Sequence, residues 1–276
     1  MTVAVTIADA LRAARLSIPL AEARLLLGFL LERNLAWIEA HHDDALSKDI
    51  AEKFSAWVNR RSSGEPVAYL TGHREFYGRE FTVGPAVLIP RHETELLVEL
   101  ALARMKGIPA PAVLDLGTGS GCIAVTLALE APMAKVTAVD ASAEALAVAR
   151  ENAEALSAPV RFFHGSWFEP VVGSRFHLIV ANPPYIAAGD PHLAQGDVRF
   201  EPASALASGP TGMDDIRHIT SQTPDYLNPG GTLMFEHGYD QAEAVAGVLA
   251  ERGFAAIEQH RDLAGILRVT LGRWQG

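Results

Sequence analysis

The stretch Val113-Leu114-Asp115-Leu116-Gly117-Thr118-Gly119-Ser120-Gly121 constrains the fold of this 276-residue chain more than any other. Val113 to Leu116 reads as a short strand, the three alternating glycines permit a tight turn, and Cys122 to Glu130 continues as an apolar helix. A strand that turns straight into a helix opens an α/β sheet. The same glycines let a ligand come close to the backbone, and the first helical turn offers N–H groups without intrahelical partners.

A second strand, Val136 to Val139, ends in Asp140, nineteen positions beyond Gly121. An acid at that point can take both hydroxyls of a ribose. It can also cap the helix Ala143 to Leu156, which Ser142 caps equally well. The dinucleotide fingerprint G-x-G-x-x-G requires glycine at position 122, where this chain has Cys122, so the spacing points away from NAD. A third strand, Val160 to His164, leads into Gly165-Ser166-Trp167-Phe168. Trp167 there either lies against an adenine ring or plugs the core beneath it.

The apolar run Phe176 to Ala181 fits a buried parallel strand and delivers Asn182-Pro183-Pro184-Tyr185 to the sheet edge where α/β proteins bind ligands. Each proline fixes its own φ and pushes the residue before it towards extended geometry, so the carbonyls of Asn182 and Pro183 have largely preset directions. Two aimed acceptors beside an aromatic ring suit a planar amino group: the Asn182 side-chain oxygen and the Pro183 main-chain oxygen accept its two hydrogens while Tyr185 packs on its face. A proline-stiffened turn capping the strand is the alternative. A loop from Ala187 to Thr211 follows, then a helix from Met213 to Leu227, a turn at Asn228-Pro229-Gly230-Gly231 and a strand from Thr232 to Glu236. A helix from Gln241 to Arg252 and strands at Phe254 to Glu258 and Gly265 to Leu271 complete a doubly wound sheet carrying an antiparallel strand.

Upstream, residues from Thr6 to about Ser63 read as a small helical domain. Thr6 with Asp9 forms a capping arrangement, a second helix spans Leu20 to Glu32 with Leu25, Leu26, Phe29 and Leu30 on one side, and Ser47 caps a third that ends near Arg60 and Arg61. Such a domain either holds a macromolecular substrate or serves only to pack. Glu75 to Phe81 alternates around Gly78 as a hairpin, and Pro90-Arg91-His92-Glu93-Thr94-Glu95 opens a helix whose early acids suit its dipole. The resulting divisions are 1–64, a linker at 65–90 and 91–276.

A net charge of −10 and a pI near 5.5 argue against a partner held by broad phosphate neutralisation. The single cysteine, Cys122, excludes an intramolecular disulfide, and the ten histidines show no paired ligand spacing on one helix, so no metal is expected. Met1 to Leu16 is amphipathic without a secretory apolar core, and no run reaches the ~20 apolar residues that span a bilayer. The expectation is a cytoplasmic protein with no stable nucleic-acid partner and no membrane partner.

These features together resemble the class I S-adenosylmethionine-dependent methyltransferases. More narrowly, the chain resembles the protein-(glutamine-N5) methyltransferases of bacterial peptide chain release factors, the PrmC/HemK family. The resemblance rests on Pro66 to Gly72, Glu75-Phe76, Ile89 to Glu95, Leu114 to Gly121, Asn182 to Tyr185, Glu201-Pro202 and Glu236-His237-Gly238. It implies a Rossmann-like, mostly parallel seven-stranded sheet with one antiparallel strand, plus a small N-terminal helical domain. It also implies S-adenosylmethionine as methyl donor, with S-adenosylhomocysteine as product, and the glutamine of the Gly-Gly-Gln motif in class 1 release factors as acceptor. Gly117, Thr118, Gly119, Ser120 and Gly121 would pass under the methionine part, Asp140 would bind the ribose, Trp167 would flank the adenine and Asn182 would also border the cofactor. Asn182, Pro183 and Pro184 would hold the substrate amide with Tyr185 against it; Asn182, Pro183 and Tyr185 would be catalytic. Asn-Pro-Pro-Tyr is shared with adenine-N6 methyltransferases, and a ribosomal-protein glutamine is a further acceptor that fits the same chemistry. Many class I enzymes carry an acid after the third strand that accepts from the adenine amine; this chain departs from that pattern with Ser166, whose hydroxyl can still accept.

Overall fold

The structure, a computed structural model, describes residues 5–276, so the first four residues of the amphipathic N-terminal stretch lie outside the description. The chain divides into two compact units, one ending at His73 and one spanning Arg74–Gly276.

The first unit is helical: α1 (Ile7–Ala14), α2 (Leu20–Leu31), α3 (Leu35–Ala40), α4 (Lys48–Ser62) and α5 (Val67–Thr71). Thr6 and Asp9 form the expected capping box, and Ser47 accepts a hydrogen bond from the Ile50 N–H at the start of α4. The face that α2 buries differs from the expected one. Ala23, Leu26 and Leu27 are fully buried, whereas Leu25 and Phe29 are exposed. The run Leu25 to Leu31 is apolar almost all round apart from Gly28, so its periodicity does not select a face; packing against Ile7, Leu11, Ile38, Phe54 and Val58 does. The short α3, capped by Asn34 accepting from the Trp37 N–H, falls below the length at which periodicity reveals a helix.

The second unit starts in the hairpin of β1 (His73–Phe76) and β2 (Arg79–Thr82), turned by Tyr77 and Gly78, both at positive φ. That two-residue turn matches the right-handed twist of the strands. Then follow α6 (Glu95–Met105), β3 (Ala112–Leu116), α7 (Cys122–Glu130), β4 (Lys135–Asp140), α8 (Ala143–Ala155), β5 (Val160–His164) and β6 (Phe176–Ala181). The chain closes with α9 (Asp214–Gln222), β7 (Leu227–Glu236), α10 (Ala242–Arg252), β8 (Ala255–Arg261) and β9 (Leu267–Arg273). The seven strands lie in the order β5-β4-β3-β6-β7-β9-β8, parallel except for β9, which runs antiparallel to both β7 and β8.

Alternate residues of the central strands feed two apolar layers. Val113, Val136 and Val180 pack with Leu97, Ile123 and Leu127 on one face, while Leu114, Val139 and Ile179 pack with Ile216, Val245 and Leu249 on the other. Strands buried on both faces need helices on both faces, which the alternating connections provide.

Three expected boundaries move for identifiable reasons. Arg91 is extended, so Pro90 does not open α6; a 3-10 turn at His92–Thr94 intervenes. The helix expected to reach Leu227 stops at Gln222: Pro224 has no N–H to continue the ladder, and Thr223–Asp225 forms a 3-10 turn instead. Asn228 to Gly231 lies inside β7 as an irregularity, with the β6 register jumping between the Phe176↔Leu227 and Leu178↔Thr232 pairs.

One buried polar side chain ties this frame together. The Asn152 amide donates to Thr82 O at 3.0 Å and Ser120 O at 2.9 Å, and accepts from Thr82 N–H at 2.7 Å, joining the hairpin, α8 and the glycine turn. Replacing Asn152 by Ala strands these buried groups. The expected cost is about 2–4 kcal/mol, read as a melting midpoint lowered by roughly 5–10 °C; a midpoint within a degree of the parent would contradict this role.

Candidate active site

The carboxyl ends of β3, β4 and β6 lie side by side, because β3 pairs with β4 on one side and β6 on the other. This is the point where strand order reverses, and it brings Gly117, Asp140 and Asn182 to one crevice. A cavity of about 340 Å³ opens there, walled by Gly117, Thr118, Gly119, Ser120, Asp140, Trp167, Asn182 and Pro184 among others.

The glycine turn is a rigid cradle whose N–H groups are largely spent on itself. Gly117 N–H and Thr118 N–H donate to Val139 O, Gly121 N–H donates to Thr118 O, and Gly119 N–H donates to Asp140 Oδ2 at 2.8 Å. Such a turn offers a ligand shape and close approach rather than a phosphate nest. Gly119 sits at φ +55°, and a Cβ there would meet no protein atom while standing on the cavity wall. Gly121 is not on the wall. At φ +82° it faces Ala149 of α8, where a Cβ would come within 3.1 Å, so its role is helix packing.

Asp140 accepts from Gly119 N–H through one carboxylate oxygen and from Ser142 N–H through the other, at 2.9 Å. Ser142 itself caps α8 by accepting from Ala145 N–H. The helix cap is therefore met by Ser142, and Asp140 is an oriented carboxylate with a free lone pair on each oxygen. Trp167 has a left-handed backbone at φ +47° and packs partly on the core layer beneath the sheet while its ring lines the cavity beside Gly117. The ring thus packs on the core with one part and leaves another part on the cavity wall. Ser166 lines the cavity too; its backbone N–H donates to Glu169 Oε2 at 3.2 Å.

In the tetrapeptide, Asn182 is half-buried and Pro183 buried, and only Asn182 and Pro184 stand on the cavity wall. The Asn182 amide nitrogen points at Thr94 Oγ1, 3.4 Å away. The Tyr185 phenol is pushed well above its ordinary range by burial and by the nearby Glu236 charge, while its carbonyl accepts from Gln241 Nε2 at 2.9 Å. The following chain is held by Ile186 N–H donating to Leu206 O and Ser208 N–H donating to Ile186 O.

Residues with no assigned role in the sequence complete the wall: Val87, Leu88 and Pro90 after the hairpin, Thr94, and Pro202 and Ser204 from the long loop. Arg91 binds the buried Glu201 carboxylate at 2.5 Å, clamping that loop across 110 residues of chain. No local pattern signals this pair, although both residues lie in segments that carry the family resemblance. Arg60, Arg61, Arg74 and Arg79 do not form a set of free cations: they bind Glu65, Glu22, Pro90 O and Glu130 respectively.

Among the described residues, Glu75, His92 and Glu95 bring three potential ligand atoms within 4.8 Å of one another, a trio that linear spacing does not reveal. Glu75 accepts from Gly78 N–H and Glu95 from Tyr77 N–H, so the carboxylates anchor the hairpin turn. Also among the described residues, no helix is long and apolar enough to cross a membrane.

Two buried acids flank the crevice. Asp115 is pushed up to about 7 by burial, against the Thr118 hydroxyl bonded to it at 2.7 Å. Glu236 is likewise pushed up to about 7 by burial, with Thr94 and Arg268 opposing. Both hold protons more tightly folded than unfolded. Their stabilising contribution is present below about pH 4 and is lost as pH rises through about 7. The urea midpoint is expected to fall between about pH 5 and 8, with Asp115→Asn flattening the fall; a midpoint that rises across this range would contradict the assignment.

Comparison with known proteins is consistent along the chain. Residues 5–72 match the PrmC N-terminal domain and residues 92–205 the methyltransferase small domain. A release factor glutamine methyltransferase of Neisseria gonorrhoeae is 50% identical over 259 residues, covering 93% of this chain and 94% of that protein. One from Burkholderia pseudomallei is 48% identical over 278 residues, covering 98% and 97%. A methyltransferase of Pyrococcus furiosus, 19% identical with a TM-score of 0.53 over 80% of this chain and 99% of its own, shares the fold. With both domains matched and about half its residues identical to such relatives over nearly their whole length, the chain belongs to the release factor glutamine methyltransferase family.

Proposed function

We propose that this chain transfers a methyl group from S-adenosylmethionine to the side-chain amide nitrogen of the glutamine in the Gly-Gly-Gln motif of class 1 release factors. One observation carries the reading: a neutral acceptor side chain, Asn182, stands on the same cavity wall as an oriented ribose-type acid, Asp140, and a glycine cradle. The cradle fits a phosphate-free adenosyl ligand. Its N–H groups are engaged internally, Gly119 leaves room where a side chain would intrude, and Trp167 offers a flat apolar surface. When bound, S-adenosylmethionine supplies an electrophilic methyl carbon on a sulfonium.

Asp140 would take the ribose hydroxyls, Gly117 to Ser120 would border the methionine part, and Trp167 would lie against the adenine. The acceptor nitrogen is a weak nucleophile because its lone pair is delocalised into the carbonyl. Asn182 Oδ1 and the Pro183 carbonyl would accept its two hydrogens, turning that lone pair towards the methyl carbon. Both bonds strengthen as the nitrogen gains positive charge, which is selective stabilisation of the transition state. Tyr185 would flank the amide plane. A strong base is unnecessary, since the methylated nitrogen loses its proton readily to water.

The acidic balance of the chain supports a protein substrate over a nucleic acid held by its phosphates. The test is intact-mass analysis of a class 1 release factor incubated with the protein and S-adenosylmethionine, beside a factor whose Gly-Gly-Gln glutamine is replaced. A gain of one methyl on the normal factor alone is expected. Transfer to adenine in DNA or to a ribosomal-protein glutamine, with none to the factor, would overturn the acceptor assignment.

A further inference from the structure

We propose that Thr94 and Glu236 are positioning residues that hold the Asn182 amide with its nitrogen inward and its oxygen towards the cavity. The inference rests on the function proposed above, in which only the oxygen end of Asn182 serves the acceptor. An asparagine amide has two ends of nearly equal shape and opposite hydrogen-bonding character. Turned the other way, Asn182 would present donors to the hydrogens of the substrate amide, and the nitrogen would not be oriented.

The sheet places the determinant. Ala181 of β6 is registered with Phe235 of β7, so the next residues, Asn182 and Glu236, leave adjacent strand ends together. Glu236 and Thr94 are each 2% exposed. Thr94 Oγ1 accepts from Asn182 Nδ2 at 3.4 Å, and the Thr94 hydroxyl and the Asn182 amide both lie against the Glu236 carboxyl. A hydroxyl that accepts from the amide keeps its own proton for the carboxyl, so with Glu236 ionised the three groups form a directed relay that favours the nitrogen end of Asn182 facing inward.

Burying a carboxyl here is costly, and one of its oxygens, Oε2, has no hydrogen-bond partner. A group present only for packing would be replaced at gain by an apolar one. The segment that supplies Glu236 also grips the other end of the tetrapeptide. Gln241 donates to the Tyr185 carbonyl at 2.9 Å and accepts from Gly238 N–H at 2.8 Å. Residues 236–241 thus hold the acceptor motif at both ends, a task that the Glu236-His237-Gly238 motif shows no sign of in the sequence alone.

The test uses the full chain and the variants Thr94→Val, Thr94→Ser and Glu236→Ala. Turnover of a class 1 release factor is expected to fall roughly 10- to 100-fold in Thr94→Val and Glu236→Ala, while KM for the factor and the S-adenosylhomocysteine Kd stay within about threefold. Thr94→Ser, which keeps the hydroxyl, should return to within about twofold of the parent. Side-chain amide NMR of Asn182, assigned through its loss in Asn182→Ala, reads the orientation without turnover: its NH2 signals should shift in Thr94→Val and return in Thr94→Ser. Parent turnover with unchanged NMR and unchanged kcat in Thr94→Val would overturn the positioning role, as would a serine variant no better than the valine one. Displaced amide signals in an enzyme that methylates no release factor would uphold the positioning role and reject the proposed substrate instead. Should Glu236→Ala not fold, the two Thr94 variants decide alone.

Discussion

Replacing Asn182 by Ala is expected to lower kcat on a release factor by roughly 100- to 1,000-fold while the affinity for S-adenosylmethionine changes by less than about threefold. The size follows from what one pre-aimed hydrogen-bonding group contributes when charge develops opposite it in a dry site. The asymmetry follows from position. Asn182 leaves β6 beside Glu236, whereas the main cofactor contacts proposed here follow the ends of β3, β4 and β5. Single-turnover kinetics on the release factor, with calorimetric binding of S-adenosylhomocysteine, separates the two quantities. An equal loss of both would show that Asn182 shapes the cavity and does not act as an acceptor.

Asp140→Ala carries the second large effect, and on the opposite quantity. Removing the carboxylate would delete its bonds to the ribose hydroxyls and also release Gly119 N–H and Ser142 N–H, so cofactor Kd is expected to rise about 10- to 100-fold. Asp140→Asn should be nearly as damaging. Both protein partners of Asp140 are donors, and the amide nitrogen of asparagine would meet one of them. Kd for S-adenosylhomocysteine by calorimetry reads this directly. A Kd within threefold of the parent in both variants would remove Asp140 from the ribose contact and leave it as the tie between the glycine turn and β4.

Much of this was legible in the chain. The strands β3, β5 and β6 fall where their apolar runs place them, α7 begins directly after the third glycine, and the terminal strand pair appears with β9 antiparallel. These elements share a cause: each is set by a contiguous apolar run bounded by glycine, proline or a polar cap, and short-range pattern is what such features consist of. The errors have two causes. The buried face of α2 and the displaced turn inside β7 depend on what packs against them, whereas the early stop of α9 is local and set by Pro224.

By itself the sequence determined the layering, the strand ends that meet at the crevice and the residue types delivered there, because glycine, proline and apolar periodicity act within a few residues. The tertiary structure alone decided which neighbours those residues obtain. Thr94 and Asn182 are separated by 88 positions and Arg91 and Glu201 by 110, yet each pair is a direct contact. It also separated Gly121, which packs on α8, from Gly117 and Gly119, which face the cavity, although all three are equivalent in the motif. The reason is physical: local pattern sets backbone conformation, but the direction of an amide, the charge state of a buried acid and the wall of a cavity are set by atoms that folding brings from elsewhere in the chain.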